Sequence, residues 1–272
     1  MPRIESLDSR DRFTRQAERE FRPSVRPVYR NSESNPRPEQ VGSCLLLNID
    51  GVPIVVTAAH IIDQRTEYTL YIAGGLRTSP VPIRGGVIAS TPKFEEGRTS
   101  DHFDTAMWIP PDQAVDNLGT VTFLDSSRIL RIRKPSAGRL YTALGYPVSR
   151  NKKAIDHAKR SISTRVSMYT GRVDEMPELA ANLRVTGRDH LFLRFEKRSF
   201  TGDGTCENTF GPIGLSGGAL LDLGDFTSTE AYARDPTGSA LLAGMVIECH
   251  WEHHALVAVR IDAVMDAIRG AP

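Results

Sequence analysis

Cysteine is scarce: three residues in 272, Cys44, Cys206 and Cys249, too few and too scattered for the dense disulfide framework of small secreted domains. A reducing, cytoplasmic setting is the expectation. Long apolar runs are missing as well. No stretch approaches the roughly 18 residues of a membrane span, and the charged start, Met1-Pro2-Arg3 through Arg30, has no apolar core of the signal-peptide kind. Glu5, Asp8, Asp11, Glu18 and Glu20 interrupt its basic residues, which disfavours a transit peptide. No membrane partner is expected. An excess of one charge is also lacking, because 34 Lys and Arg stand against 33 Asp and Glu for a net charge of +1. Nothing global therefore pulls the chain toward nucleic acid. No internal repeat is visible.

What is present is an ordinary globular composition, 40% apolar and 25% charged, in a length that suits one large domain or two small lobes. Residues 1–40, rich in Arg, Ser, Glu and Pro, read as a polar N-terminal arm. Asp8 to Phe21 is able to form a charged helix with a thin apolar side. From Val41 the texture changes to short runs of Val, Ile, Leu, Thr and aromatics bounded by Gly, Pro, Asp and Asn, the pattern of antiparallel strands and turns. The first set of expected strands is 43–48, 53–58, 68–73, 81–88 and 105–109; the second is 139–144, 161–173, 190–195, 219–223, 241–248 and 255–261. Two sets predict an all-β chain with two lobes, about 41–125 and 135–261, joined near 124–135 and closed by a short C-terminal helix over 262–269.

Three motifs stand in the chain order histidine, acid, serine. Val55-Val56-Thr57-Ala58-Ala59-His60 runs a strand into a histidine, Asp104-Thr105-Ala106-Met107-Trp108 puts an acid before an apolar strand, and Gly214-Leu215-Ser216-Gly217-Gly218-Ala219 sets a serine on a glycine turn. A serine hydroxyl becomes a nucleophile when an imidazole takes its proton, and a carboxylate holds that imidazole in the useful tautomer. Ser216 is thus the candidate nucleophile, His60 the base and then acid, and Asp104 the orienting carboxylate. Glycines beside the serine leave backbone N–H groups free to meet an oxyanion, so the Gly214 and Ser216 N–H groups are the candidate donors. No cofactor and no metal are required.

These motifs resemble those of the trypsin/chymotrypsin serine protease superfamily, including bacterial proteases of the high-temperature-requirement type: Thr-Ala-Ala-His, Asp-x-Ala-apolar and Gly-x-Ser-Gly-Gly all stand unbroken, over a span of roughly 41–268. The resemblance implies a double β-barrel with the active site between the lobes and a serine endopeptidase acting on a protein or peptide substrate through an acyl-enzyme. By the family's register Phe210 lies at the base of the primary specificity pocket, with Ile247, Glu248 and Leu256 along its walls. The absence of an acid at the base argues for small or medium apolar side chains there. Zymogen-activated members carry an acid immediately before the serine, whereas Leu215 stands here. Activation by N-terminal cleavage is therefore not expected, and an activating or targeting partner protein is.

Other readings of the same residues are weaker. Asp101 is an alternative acid, but Asp104 leads directly into the strand. Gly214-x-Ser216-x-Gly218 also fits the nucleophile elbow of α/β-hydrolases, yet that fold places its acid and histidine after the serine. Cys206, Cys249, His250, His253 and His254 have poor spacing for zinc, and 250–254 reads as a polar hairpin tip. Cys44 reads as a small core residue. Basic clusters at Arg128, Arg131, Arg133 and Lys134, and at Arg150, Lys152, Lys153, Lys159 and Arg160, read as solvated faces. The alternative from another class is a protease-like fold serving as a non-catalytic binding or scaffolding module.

Overall fold

The structure is a computed structural model and describes residues 4–75, 79–90, 97–133, 136, 138–152, 154–156, 161–201, 204–226 and 240–270. Lys134, Lys153, Lys159 and Arg160 of the basic clusters lie outside the described residues. Among the described residues eighteen strands follow in order. The first ten are β1 (Val25–Asn31), β2 (Glu39–Ile49), β3 (Val52–Ala58), β4 (Thr69–Ile72), β5 (Val81–Pro82), β6 (Val87–Ala89), β7 (Thr105–Trp108), β8 (Leu124–Asp125), β9 (Arg139–Gly145) and β10 (Ile155–Asp156). The others are β11 (Ser161–Ile162), β12 (Ser167–Gly171), β13 (His190–Arg194), β14 (Arg198–Phe200), β15 (Cys206–Asn208), β16 (Ala219–Asp225), β17 (Leu241–His250) and β18 (Ala255–Arg260).

They form two curled antiparallel sheets, one per lobe, so the chain has the expected all-β double-barrel fold. The first sheet runs β5-β4-β1-β2-β3-β7-β6, with β8 added parallel to β2. The second runs β12-β9-β16-β17-β18-β13, and a bridge from Val173 to Leu193 joins its two ends. Small hairpins β10-β11 and β14-β15 stand apart. The C-terminal helix, Ile261–Arg269, follows β18 directly and buries Ile261, Val264 and Met265.

The apolar runs are continuous rather than alternating because both faces of the central strands are covered. In β2, Cys44 and Leu46 face the interior of the first lobe, while Leu45, Leu47 and Ile49 enter a second cluster that spans the two lobes. In β18, Leu256 and Ala258 fill the second lobe, and Val257 and Val259 point to the shared cluster. The two-residue period of a strand sorts adjacent apolar residues into different cores.

The segment read as a polar arm does more than flank the barrels. Its helix, Ile4–Phe21, is longer than expected and carries Phe13, Ala17 and Phe21 on one side. Ala17 and Phe21 are buried in the shared cluster, and Phe13 meets Phe226 edge-on at 6.1 Å. Strand β1 lies between β2 and β4, so the first barrel takes its strands from residue 25 rather than from 41. Expected strand 81–88 divides into β5 and β6 around Gly85 and Gly86, and 161–173 into β11 and β12. The turn 251–254 does join β17 to β18 as a hairpin tip.

Candidate active site

Register places the acid. Strand β3 pairs with β7 so that Ala58 faces Thr105, which sets Asp104 one step beyond, opposite the residues that follow β3. There Ala59–Ile62 turns into a single helical turn carrying His60. Asp104 grips that turn at three points. Its carbonyl accepts from Ala59 N–H at 3.0 Å, its Oδ1 accepts from His60 N–H at 2.8 Å, and its Oδ2 lies 2.6 Å from His60 Nδ1. To reach all three, Asp104 adopts φ +40, a left-handed conformation that Asp tolerates better than most residues. Its side chain is 10% exposed against 39% for that of His60, so the carboxylate is walled in while part of the imidazole stays open to solvent. Asp101 is engaged elsewhere, accepting from Ser90 Oγ at 2.5 Å and pairing with Arg98.

The segment before Asp104 is tied to the other lobe. Burial pushes His190 on β13 below the ordinary histidine value, and the neutral ring donates Nε2–H to the His102 carbonyl at 2.7 Å.

The serine turn is fixed by main-chain bonds to both lobes. Ser43 N–H on β2 donates to the Ser216 carbonyl at 2.8 Å, Gly217 N–H donates to the Val246 carbonyl at 2.7 Å, and Val246 N–H returns to the Gly218 carbonyl at 2.9 Å. Gly217 has φ +82, and a Cβ there would stand 1.9 Å from the Ser43 carbonyl oxygen, so only glycine lets β2 approach this closely. Ser216 Oγ donates to the Ile247 carbonyl at 2.9 Å. Among the described residues that is its hydrogen-bond partner, and none joins it to His60.

Pro212 to Leu215 forms a tight turn closed by Leu215 N–H to the Pro212 carbonyl at 2.8 Å, with Gly214 at φ +95 as a type II turn requires at its third position. Val148 N–H holds the Ile213 carbonyl at 2.8 Å. No peptide bond is cis among the described residues, and in a trans peptide N–H and C=O point opposite ways. Gly214 N–H is therefore aimed away from Val148. Neither this N–H nor that of Ser216 donates to an acceptor among the described residues.

The proposed pocket residues are brought to different places. Ile247 is buried beside Ser216 and supplies the carbonyl just described. Glu248, next along β17, is held by His250 Nε2 at 2.9 Å, with His102 Nδ1 at 3.6 Å. Burial would raise its carboxyl, but the hydrogen bond from His250 and the charges of both histidines leave it below the ordinary glutamate value. The bond to Glu248 in turn holds His250 above the ordinary histidine value. Phe210 packs on Phe195 with ring centroids 6.1 Å apart, and Leu256 is buried in the same second-lobe cluster. Leu215 is 1% exposed within that cluster too. A wide groove of about 1820 Å³, bounded by Arg22, Arg26, Tyr146, Ser167, Phe200 and Phe210, is not lined by His60, Asp104 or Ser216.

Several basic residues have internal partners: Arg128 pairs with Glu20 at 2.6 Å and covers the Phe21 ring, and Arg133 pairs with Asp262 at 2.5 Å. Cys44, Cys206 and Cys249 are free thiols, and Cys44 is fully buried in the first-lobe core. Sequence reasoning missed Ser43 and Thr57. Thr57 Oγ1 donates to the Ser43 carbonyl at 2.7 Å; Thr57 stands in the histidine motif but carried no role of its own there, and nothing in the local sequence marks Ser43 as part of the site.

No protein-family model and no curated protein matches the chain. A solved structure does: the serine endoprotease from Yersinia pestis superposes with a TM-score of 0.52 at 15% identity, over 94% of this chain and 65% of that one. The two share a fold. The present chain thus spans a little under two thirds of that protein's length. No described helix is long and apolar enough to cross a membrane.

Proposed function

We propose that this chain is a serine endopeptidase that cleaves a protein or peptide substrate through an acyl-enzyme, with His60, Asp104 and Ser216 as its triad. The observation that carries the reading is the double grip of Asp104 on His60, 2.6 Å at Nδ1 and 2.8 Å at the main-chain N–H. A carboxylate on Nδ1 keeps the proton there and leaves Nε2 with its lone pair free to act as a base. Rotation of Ser216 Oγ from the Ile247 carbonyl to Nε2 then gives the attacking geometry. The hydroxyl proton passes to Nε2, Oγ bonds to the scissile carbonyl carbon, and the oxyanion is met by the N–H groups of Gly214 and Ser216. His60 returns the proton to the leaving amine, and water repeats the sequence to release the acid. No cofactor enters.

Phe210, Ile247, Glu248 and Leu256 are proposed to shape the primary pocket. Activation by a new N-terminus is not part of this reading, because Leu215 sits in an apolar cluster where an ammonium would have no counter-charge. Control by a partner protein, in a reducing compartment such as the cytoplasm, fits this arrangement better.

One observation favours the non-catalytic alternative: Ser216 Oγ is spent on the Ile247 carbonyl. Labelling with a fluorophosphonate separates the two readings, since only an activated serine reacts. Labelling that Ser216→Ala abolishes is the expected result; a full-length protein that stays unlabelled, alone and with candidate partners, would sink the peptidase reading.

A further inference from the structure

Ser43 touches more of the site than any triad residue does, yet it is fully buried and lies on β2 of the first lobe. Its Oγ donates to the Gly214 carbonyl at 2.8 Å and accepts from Tyr146 N–H at 3.0 Å. Its own N–H donates to the Ser216 carbonyl at 2.8 Å. Its carbonyl accepts from Thr57 Oγ1 at 2.7 Å, three residues before His60. One residue thus holds the carbonyls of both residues that supply the proposed oxyanion donors and the strand that leads into His60.

Gly214 needs such a restraint. Without a Cβ it is the most conformationally free residue in the turn, and its N–H is useful only if held in one direction before the reaction begins. Two peptide planes meet at it. The plane on the Ile213 side is held by Val148 N–H, and the plane on the Leu215 side by the Leu215 N–H to Pro212 bond together with the Ser43 hydroxyl. The hydroxyl is the one side-chain group in that set. Its other bond, from Tyr146 N–H, is equally specific, because Tyr146 opens the segment leading to Val148, and the Tyr146 carbonyl accepts from Gln40 Nε2 on the same strand as Ser43. Two of the three restraints on Gly214, those from Val148 and from the Ser43 hydroxyl, therefore run back to β2. A Cβ on Gly145 would come within 3.1 Å of Ser43 Oγ, so this space is fitted to the hydroxyl.

We propose that Ser43 is a positioning residue for the oxyanion site, its hydroxyl locking the Gly214 turn so that the N–H groups of Gly214 and Ser216 face the reacting carbonyl. This rests on the peptidase reading. Removing one oxyanion donor outright costs on the order of 10²–10³ in rate; loosening a donor should cost less, about 10-fold to 100-fold in Ser43→Ala.

The test uses saturable fluorophosphonate inactivation of the full chain, in which the Ser216 Oγ–P bond forms, the P–F bond breaks, fluoride leaves and His60 takes the hydroxyl proton. The phosphoryl oxygen occupies the place of the oxyanion. The expected result for Ser43→Ala is a lower maximal inactivation rate with the half-saturating concentration unchanged. Hydrogen exchange at Tyr146, whose N–H donates to the Ser43 hydroxyl, and at Leu215, whose N–H closes the turn, should quicken in Ser43→Ala while the β17 and β18 amides stay protected. An inactivation rate equal to that of the parent protein would overturn the role of Ser43 and leave the peptidase reading standing. So would a loss of rate accompanied by general loss of amide protection, which would make Ser43 a core residue only. A parent protein that no fluorophosphonate labels overturns the peptidase reading and this one with it.

Discussion

The His60 half and the Ser216 half of the candidate site are held by opposite means. His60 and Asp104 stand just beyond the paired ends of β3 and β7, and the register of those strands brings them together within the first lobe. Ser216 and Gly214 sit on a turn before β16 whose anchors are distant in sequence: Ser43 from the other lobe, Val246 on β17 and Val148 after β9. The first half is a local product of strand pairing. The second exists only when two lobes, the serine turn and the segment after β9 have all docked. Such an arrangement leaves the His60–Asp104 pair dependent on one sheet and the Ser216 turn dependent on several docked segments.

The comparison breaks most severely at the local half. Asp104→Asn keeps an acceptor for His60 N–H but turns an amide toward Nδ1, favouring the wrong tautomer, and should lower acylation by about 10⁴-fold in a fluorophosphonate or ester assay. If the rate fell less than tenfold, the base would be oriented by something other than Asp104. Next in size is the long-range half. Phe21→Ala removes a buried ring where the N-terminal helix meets the shared cluster, and a cost of about 3–5 kcal/mol is expected in urea denaturation. An unchanged midpoint would make that helix an appendage. Gly217→Ala puts a methyl against the Ser43 carbonyl at a left-handed position and should cost about 1–3 kcal/mol, with a disproportionate loss of labelling because the same contact seats Ser216.

A smaller effect tests the seam beside the nucleophile. The His250 pKa is raised from 6.5, so its share of the Glu248 pair is complete below that value and lost as pH rises through the raised one. Glu248 is lowered from 4.5, so its share is present above that value and lost as pH falls through the lowered one. Glu248→Gln should therefore cost up to about 1 kcal/mol between those limits and nothing on the alkaline side, read from thermal melts across pH. A cost that persists at alkaline pH would point to packing instead. Least in size is thiol reactivity. Burial, with the Glu252 charge adding for Cys249, pushes the thiols of Cys44 and Cys249 up to about 12, whereas Cys206 is exposed on β15. Iodoacetamide should modify Cys206 alone in the native state, checked by peptide mass mapping.

Much of the fold could be read before any coordinates. Runs such as 43–48, 53–58, 190–195 and 255–261 carry enough β-branched and aliphatic residues, between enough turn residues, to show as strands. Strand β1, Val-Arg-Pro-Val-Tyr-Arg-Asn, escaped because its charges and proline look like linker. Its apolar Val28 and Tyr29 are nonetheless buried between neighbouring strands, and Arg26 is satisfied by the carbonyls of Ala73 and Gly74. The N-terminal helix was underestimated for a related reason. An apolar stripe of Phe13, Ala17 and Phe21 looks thin until the surface it meets is known.

By itself the sequence determined the all-β character, the two sets of strands and three chemical motifs, because strand periodicity, glycine turns and residue chemistry are local properties. Tertiary structure alone decided that Asp101 is taken up by Ser90 and Arg98, that the so-called arm contributes a strand to the first lobe, and that Ser43 reaches Gly214, Tyr146 and Ser216 at once. Those outcomes depend on strand register and on the docking of segments more than 100 residues apart, and hydrogen-bond partners at that separation leave no mark on the residues that precede and follow them.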